Sequence, residues 1–256
     1  MKALVNIGVA ALFIYGALCV LLYIAQDRLL YLPTSEVNPP GATAVRLTGG
    51  DVILKLWQLH PNARSALIYW GGNAEDVAAN LPDFDAAFPD RAVYLVNYRG
   101  YGGSTGRPSE AALVSDAAVI YDWVRAHHDR IAVMGRSLGS GIATALAASR
   151  PIERLILVTP YDSIANVAAD HFSAFPVHWL LKDRYDSLVR IGNVQAPVLA
   201  IVAEHDEVVS RARSNTLIGG IPPNLRQTLL IPGATHNDIS AFPVYLPALR
   251  EFLADR

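Results

Sequence analysis

The chain has one cysteine, Cys19, which excludes an internal disulfide and any thiolate metal cage. Its seven histidines and its carboxylates show no metal-ligand spacing, so no metal site is expected. An excess of one charge is also missing. The 21 Lys and Arg and 23 Asp and Glu are mixed along the chain and leave a net charge of −2, so nothing suggests a nucleic-acid-binding surface. There is no internal repeat and no low-complexity tract. What is plentiful is apolar material: at 256 residues and 52% hydrophobic content, one domain of ordinary size plus an appendage is expected.

That appendage is N-terminal. Residues 3–25 carry no charge and are apolar except for Asn6, with Cys19 placed as a small hydrophobe. As a helix this stretch reaches about 35 Å, enough to cross a bilayer core. Tyr23 and Tyr31 lie where interfacial aromatics belong. A cleaved signal peptide would have a shorter apolar core and an evident small-residue cleavage site, and a buried core helix would usually carry a polar face. Residues 1–27 are therefore expected to be a single-pass membrane anchor, with the bilayer as partner through residues 3–25. Lys2 precedes the span while Asp27 and Arg28 cancel after it, which favours the N-terminus inside and the domain outside the cytoplasm. Residues 28–42, with Pro33, Pro39 and Pro40, read as an extended connector.

From residue 43 onward the pattern is that of a folded domain. Residues 43–47 and 52–59, separated by Gly49-Gly50, read as an antiparallel hairpin. Apolar strand candidates follow at 65–70, 92–98, 131–134, 155–159, 197–203 and 227–231. Helical stretches alternate with them near 76–88, 109–127, 138–149, 211–218 and 240–254. Such alternation implies an α/β fold with a mostly parallel sheet covered on both faces, and the reactive loops should follow the carboxyl ends of its strands.

One strand ends in Gly135-Arg136-Ser137-Leu138-Gly139 and leads into a run of small residues. This is a strand, a sharp turn carrying one serine, then a packed helix whose N-terminus favours a developing oxyanion. Ser137 is thus a nucleophile candidate, and a serine hydroxyl needs a base. Two later strand ends supply partners: His236 as the base and Asp206 to orient it, in the chain order Ser137, Asp206, His236. An oxyanion hole would take the N–H of Leu138 plus one from the glycine loop after residue 70, where Asn73 is the choice and Ala74 the near alternative.

Trp70-Gly71-Gly72-Asn73-Ala74-Glu75-Asp76, Asn97-Tyr98-Arg99-Gly100-Tyr101-Gly102, the Ser137 pentapeptide and His205-Asp206-Glu207-Val208-Val209 resemble the α/β-hydrolase superfamily. They are most similar to its small membrane-anchored serine hydrolases, which include serine-aminopeptidase-like and depalmitoylase-like branches. The resemblance covers about residue 28 to the end and implies the same triad, action on acyl compounds and no cofactor. Relatives often have His-Gly where this chain has Gly71-Gly72, so any role of that histidine side chain is lost here.

Several alternatives compete. Gly102-Gly103-Ser104-Thr105-Gly106 repeats the serine motif, but no packed helix follows it and it reads as a loop. Asp162 rivals Asp206 as the acid, although it is also placed to cap the next helix. His205 competes with His236 but sits beside the acid and before the last strand. Residues 161–195 should form a short cap whose Phe172, Phe175, Trp179, Leu180 and Leu181 either pack onto the sheet or line an acyl pocket. The expected activity is hydrolysis of a small acyl ester or thioester. A serine peptidase is the alternative, although the cap shows no clear acidic cluster to hold a substrate amine. A non-catalytic binding protein on the same fold is a further alternative.

Overall fold

A computed structural model of the protein describes residues 1–254. Eight strands follow in chain order: β1 (Thr43–Gly49), β2 (Val52–Leu59), β3 (Ser65–Trp70), β4 (Arg91–Val96), β5 (Arg130–Arg136), β6 (Arg154–Val158), β7 (Val198–Ala203) and β8 (Arg226–Ile231). They form one sheet in the order β1-β2-β4-β3-β5-β6-β7-β8. The β1–β2 hairpin is antiparallel and joins β4 antiparallel, while β4, β3, β5, β6, β7 and β8 are parallel.

The helices are α1 (Lys2–Leu30), α2 (Leu81–Ala87), α3 (Glu110–Arg125), α4 (Leu138–Ala147), α5 (Ile164–His171), α6 (Val177–Leu180), α7 (Ser187–Ile191), α8 (Arg211–Gly219) and α9 (Tyr245–Leu253). Every residue of β3, β4 and β7 is buried. The reason is that helices cover both faces of the sheet. In β3, Ala66, Ile68 and Trp70 join a core with Leu113 of α3 and Ile142 of α4. Leu67 and Tyr69 point the other way, into a core with Phe84 of α2 and Phe252 of α9. Burying each large aliphatic or aromatic side chain is worth about 1.5–3 kcal/mol, so the alternating strand is held from both sides.

The helix expected over 76–88 is divided. Asp76 accepts from the Ala78 N–H to start a 3₁₀ turn, Val77–Asn80, and α2 follows. The helix expected over 240–254 begins later, at Tyr245, after a short turn at Ile239–Ala241. Pro243 forces this, because the residue before a proline avoids helical angles and Phe242 is extended at ψ 135°. Residues 161–195, expected to form a cap, contain α5, α6 and α7, which hydrophobic periodicity did not mark. The base of the cap is fixed by Glu110, whose carboxylate accepts from the Arg184 and Tyr185 N–H groups at 2.8 Å each and pairs with Arg190 at 2.6 Å.

Among the described residues, α1 is the one helix long and apolar enough to cross a membrane. It runs to Leu30, beyond the boundary expected at residue 27. The segment after it is bound to the domain rather than slack. Buried Lys55 donates to Glu36 at 2.9 Å, Asn38 at 2.8 Å and the Val37 carbonyl at 3.2 Å. Tyr31 is buried and donates to Asp183 at 2.7 Å. Burial, reinforced by the neighbouring Tyr185 hydroxyl, pushes the Tyr31 phenol far up, so it stays a donor at any ordinary pH.

Candidate active site

Four loops meet at the carboxyl edge of the sheet, and the register explains why. Trp70 of β3 lies opposite Gly135 of β5, and Ala203 of β7 lies opposite Ile231 of β8. The segments that follow these residues therefore leave the sheet on one side.

β5 ends at Arg136 and α4 begins at Leu138, which isolates Ser137 at the bend. Ser137 has φ 49° and ψ −118°, a conformation that costs a side-chain-bearing residue about 1–3 kcal/mol. Two glycines make the bend possible. A Cβ on Gly135 would lie 2.2 Å from the Gly139 carbonyl oxygen, and one on Gly139 would lie 2.2 Å from the Trp70 carbonyl oxygen. The bend is thus pressed against the end of β3, and the loop containing Asn73 comes with it.

The structure brings Ser137, His236 and Asp206 together. His236 Nε2 lies 2.9 Å from Ser137 Oγ. Its Nδ1 lies 2.9 Å from both carboxylate oxygens of Asp206. Asp206 is held in turn by the Val208 and Val209 N–H groups at 3.0 and 2.7 Å. The carboxylate and the imidazole are both buried, so their interaction is little screened by water. With Nδ1–H given to the carboxylate, Nε2 carries the lone pair and faces the serine hydroxyl.

The glycine loop is set by Glu75. Its carboxylate accepts from the Gly72 N–H at 2.6 Å, the Tyr69 hydroxyl at 2.6 Å and the Asn80 amide at 2.8 Å. Burial first, then the Glu75 charge, hold the Tyr69 phenol protonated and so able to donate. The N–H groups of Leu138 and Asn73 donate to no backbone carbonyl or side chain among the described residues. The Asn73 side chain faces away, donating to the Leu30 carbonyl at 2.8 Å and accepting from the Leu32 N–H at 3.0 Å. Ala74 adopts φ 59° at the turn.

Sequence reasoning missed two residues. Arg136 donates to the carbonyls of His236 and Asn237 at 3.1 Å each and approaches Glu75 at 3.5 Å. It joins the histidine loop to the glycine loop beneath the serine. The clue was available: a charged side chain inside an otherwise small and apolar pentapeptide, with Glu75 three residues beyond the glycine pair.

The rival residues lie elsewhere in the network. Asp162 accepts from the Ser163 N–H at 2.7 Å, the Asn166 amide at 2.8 Å and Arg213 at 3.3 Å. The cap of α5 itself is Ser163. Ser104 donates to the Asn97 carbonyl at 2.9 Å and accepts from the Lys55 N–H at 2.8 Å, which makes it a staple of the loop against β2. His205 points outward, with a side chain 67% exposed. Among the described residues no group of histidine, cysteine or carboxylate side chains is arranged to hold a metal.

A cavity of about 260 Å³ ends at Ser137. Phe172, Phe175, Leu180 and Leu181 line it, so four of the five apolar residues singled out in the sequence border this space. Trp179 does not, being 89% exposed.

The strand order, together with a serine at the bend after β5, defines the fold as that of an α/β hydrolase. The family model described as alpha/beta hydrolase fold matches residues 65–190, a span that includes Asn73 and Ser137 and ends before Asp206 and His236. An uncharacterized protein of Mycobacterium tuberculosis is 34% identical over 272 residues, covering 99% of this chain and 96% of its own length. Protein bem46 of Schizosaccharomyces pombe is 29% identical over 221 residues, 80% of this chain and 72% of that protein. Among solved structures, an esterase of Pyrococcus furiosus superposes with a TM-score of 0.71 at 19% identity, covering 88% of this chain and 98% of that one. An enol-lactonase of Burkholderia xenovorans gives 0.65 at 16% identity, covering 82% and 100%. The chain belongs to the α/β-hydrolase fold family, a membership consistent with hydrolase activity.

Proposed function

We propose that the protein is a membrane-tethered serine hydrolase that cleaves carboxylic esters or thioesters through an acyl-enzyme on Ser137. The observation that carries this reading is His236, bridging Ser137 Oγ and the Asp206 carboxylate at 2.9 Å on each side. Ser137 Oγ attacks the acyl carbonyl carbon while its proton passes to His236 Nε2, and Asp206 stabilises the imidazolium. The oxyanion is received by the N–H groups of Leu138 and Asn73, at the positive end of α4. Collapse expels the alcohol or thiol, which takes the proton from His236. Water, deprotonated by the same nitrogen, then attacks the acyl-enzyme and releases the carboxylic acid.

Esters and thioesters are favoured over peptides because, among the described residues, no carboxylate lines the cavity to hold a substrate amine. The names of two structural neighbours, an esterase and an enol-lactonase, agree with this class. The tether is residues 3–25. Its retention in the mature protein is supported by Gln26, which donates to the Leu180 carbonyl at 3.1 Å and accepts from the Lys182 N–H at 2.7 Å. Removal of the helix would strip these partners from the cap. Asp27 and Arg28 cancel after the apolar stretch while Lys2 precedes it, which favours the hydrolase domain outside the cytoplasm.

A panel of p-nitrophenyl and thiophenyl esters of graded chain length, given to the detergent-solubilised full chain, tests the class. Hydrolysis is expected, with kcat/KM rising from acetyl to medium-length chains as the cavity fills. Cleavage of amino-acid anilides in preference to every ester would instead support the peptidase.

A further inference from the structure

The cavity that ends at Ser137 is not enclosed by the hydrolase domain alone. Leu22, Gln26, Leu29 and Leu30 of α1 form one wall, and Phe172 and Phe175 of the cap belong to the facing one. Leu22 and Leu30 are eight residues apart, so the cavity follows the helix for about 12 Å. Among the described residues, no Lys, Arg, Asp or Glu lines it. The group it suits is therefore an uncharged apolar chain rather than a charged headgroup.

Helix and cap are also latched together over a long stretch. The Tyr15 hydroxyl donates to the Ala174 carbonyl at 2.9 Å, and its ring stacks on Phe175 with centroids 5.7 Å apart. The Lys182 ammonium sits 4.5 Å from the Tyr23 ring, and the Gln26 amide bonds to the cap at Leu180 and Lys182. From Tyr15 to Gln26 these contacts span about 16 Å of helix. They begin near the middle of the segment assigned to the bilayer. The cap therefore reaches into the level of the lipid. Phe172 and Trp179, 46% and 89% exposed, are aromatic side chains suited to that boundary.

We infer that α1 and the cap together form an acyl-chain site open to the bilayer, whose occupant is the fatty-acyl chain of a membrane-resident lipid ester. This rests on the hydrolase reading above and names its substrate class. A chain that moves from lipid into this cavity never crosses water. Passage through water would add a barrier that slows the transfer about tenfold for every two methylenes exposed. The same helix would then serve as tether and as pocket wall.

The test uses the full chain in phosphatidylcholine vesicles with two substrates: a long-chain monoacylglycerol in the bilayer and a soluble acetyl ester. The readout is the ratio of their kcat/KM values, which removes any loss of folded protein. Leu22→Asp, which puts a charge in the wall, and Leu22→Trp, which narrows the cavity, are each expected to lower the ratio at least about tenfold. A ratio within twofold of wild type in both variants overturns the inference. An S-acylated, membrane-anchored peptide is the third substrate. Its cleavage in preference to the monoacylglycerol overturns the lipid ester as occupant. Acetyl-ester hydrolysis undiminished in Ser137→Ala overturns the underlying hydrolase reading instead, and this inference with it.

Discussion

Ser137→Ala is expected to lower kcat for ester hydrolysis by about 10⁴–10⁶, with the protein folded and the cavity intact. The size follows from the route. Without Oγ there is no acyl-enzyme, and His236 is left with only water to activate. A residue of catalysis should persist, because the N–H groups of Leu138 and Asn73 still stabilise an oxyanion in a preorganised site. Ser104→Ala is the informative partner, since both serines sit in the same five-residue pattern. Ser104 bridges the Asn97 carbonyl and the Lys55 N–H inside the fold. Its loss should lower stability by about 1–3 kcal/mol and leave the kcat of the folded protein near that of wild type. Stopped-flow turnover and thermal unfolding on both variants separate the two outcomes.

The second large effect belongs to the acid. Asp206→Asn is expected to cut kcat by about 10⁴, because an amide neither stabilises the imidazolium nor enforces the tautomer that leaves Nε2 free. Asp162→Asn should act on stability instead. Its carboxylate lies among Ser163, Asn166 and Arg213, in the start of α5 rather than at the imidazole. A lowered Tm with near-normal turnover is the expected result. The reverse order of the two variants in kcat would transfer the role to Asp162.

These assignments were legible in the sequence to an uneven degree, for physical reasons. Buried strands are apolar on both faces and end at polar loops, so β3, β5 and β7 and the polar residues after each could be read from local pattern. Ser137 stood out from Ser104 because its neighbours must pack as a helix. The break before α9 is also written locally, in Pro243. What local pattern could not supply was docking between distant segments. Residues 3–25 read as a lipid-facing helix whatever lies beside them, and the stacking of Tyr15 on Phe175 has no signature in either segment. Gln26 was the one hint, a polar side chain at the end of an apolar run that proves buried. Arg136 and Glu75 stand out as charges among small residues, but a charge beside Ser137 acquires meaning only when the facing loop is known.

The most direct measurement is covalent trapping. The full chain is treated with a fluorophosphonate, digested, and the adduct is located by mass spectrometry. A single phosphonylated site at Ser137, formed by wild type and lost in His236→Ala, is the predicted result. An adduct on Ser104, or equal labelling of wild type and Ser137→Ala, would contradict the account.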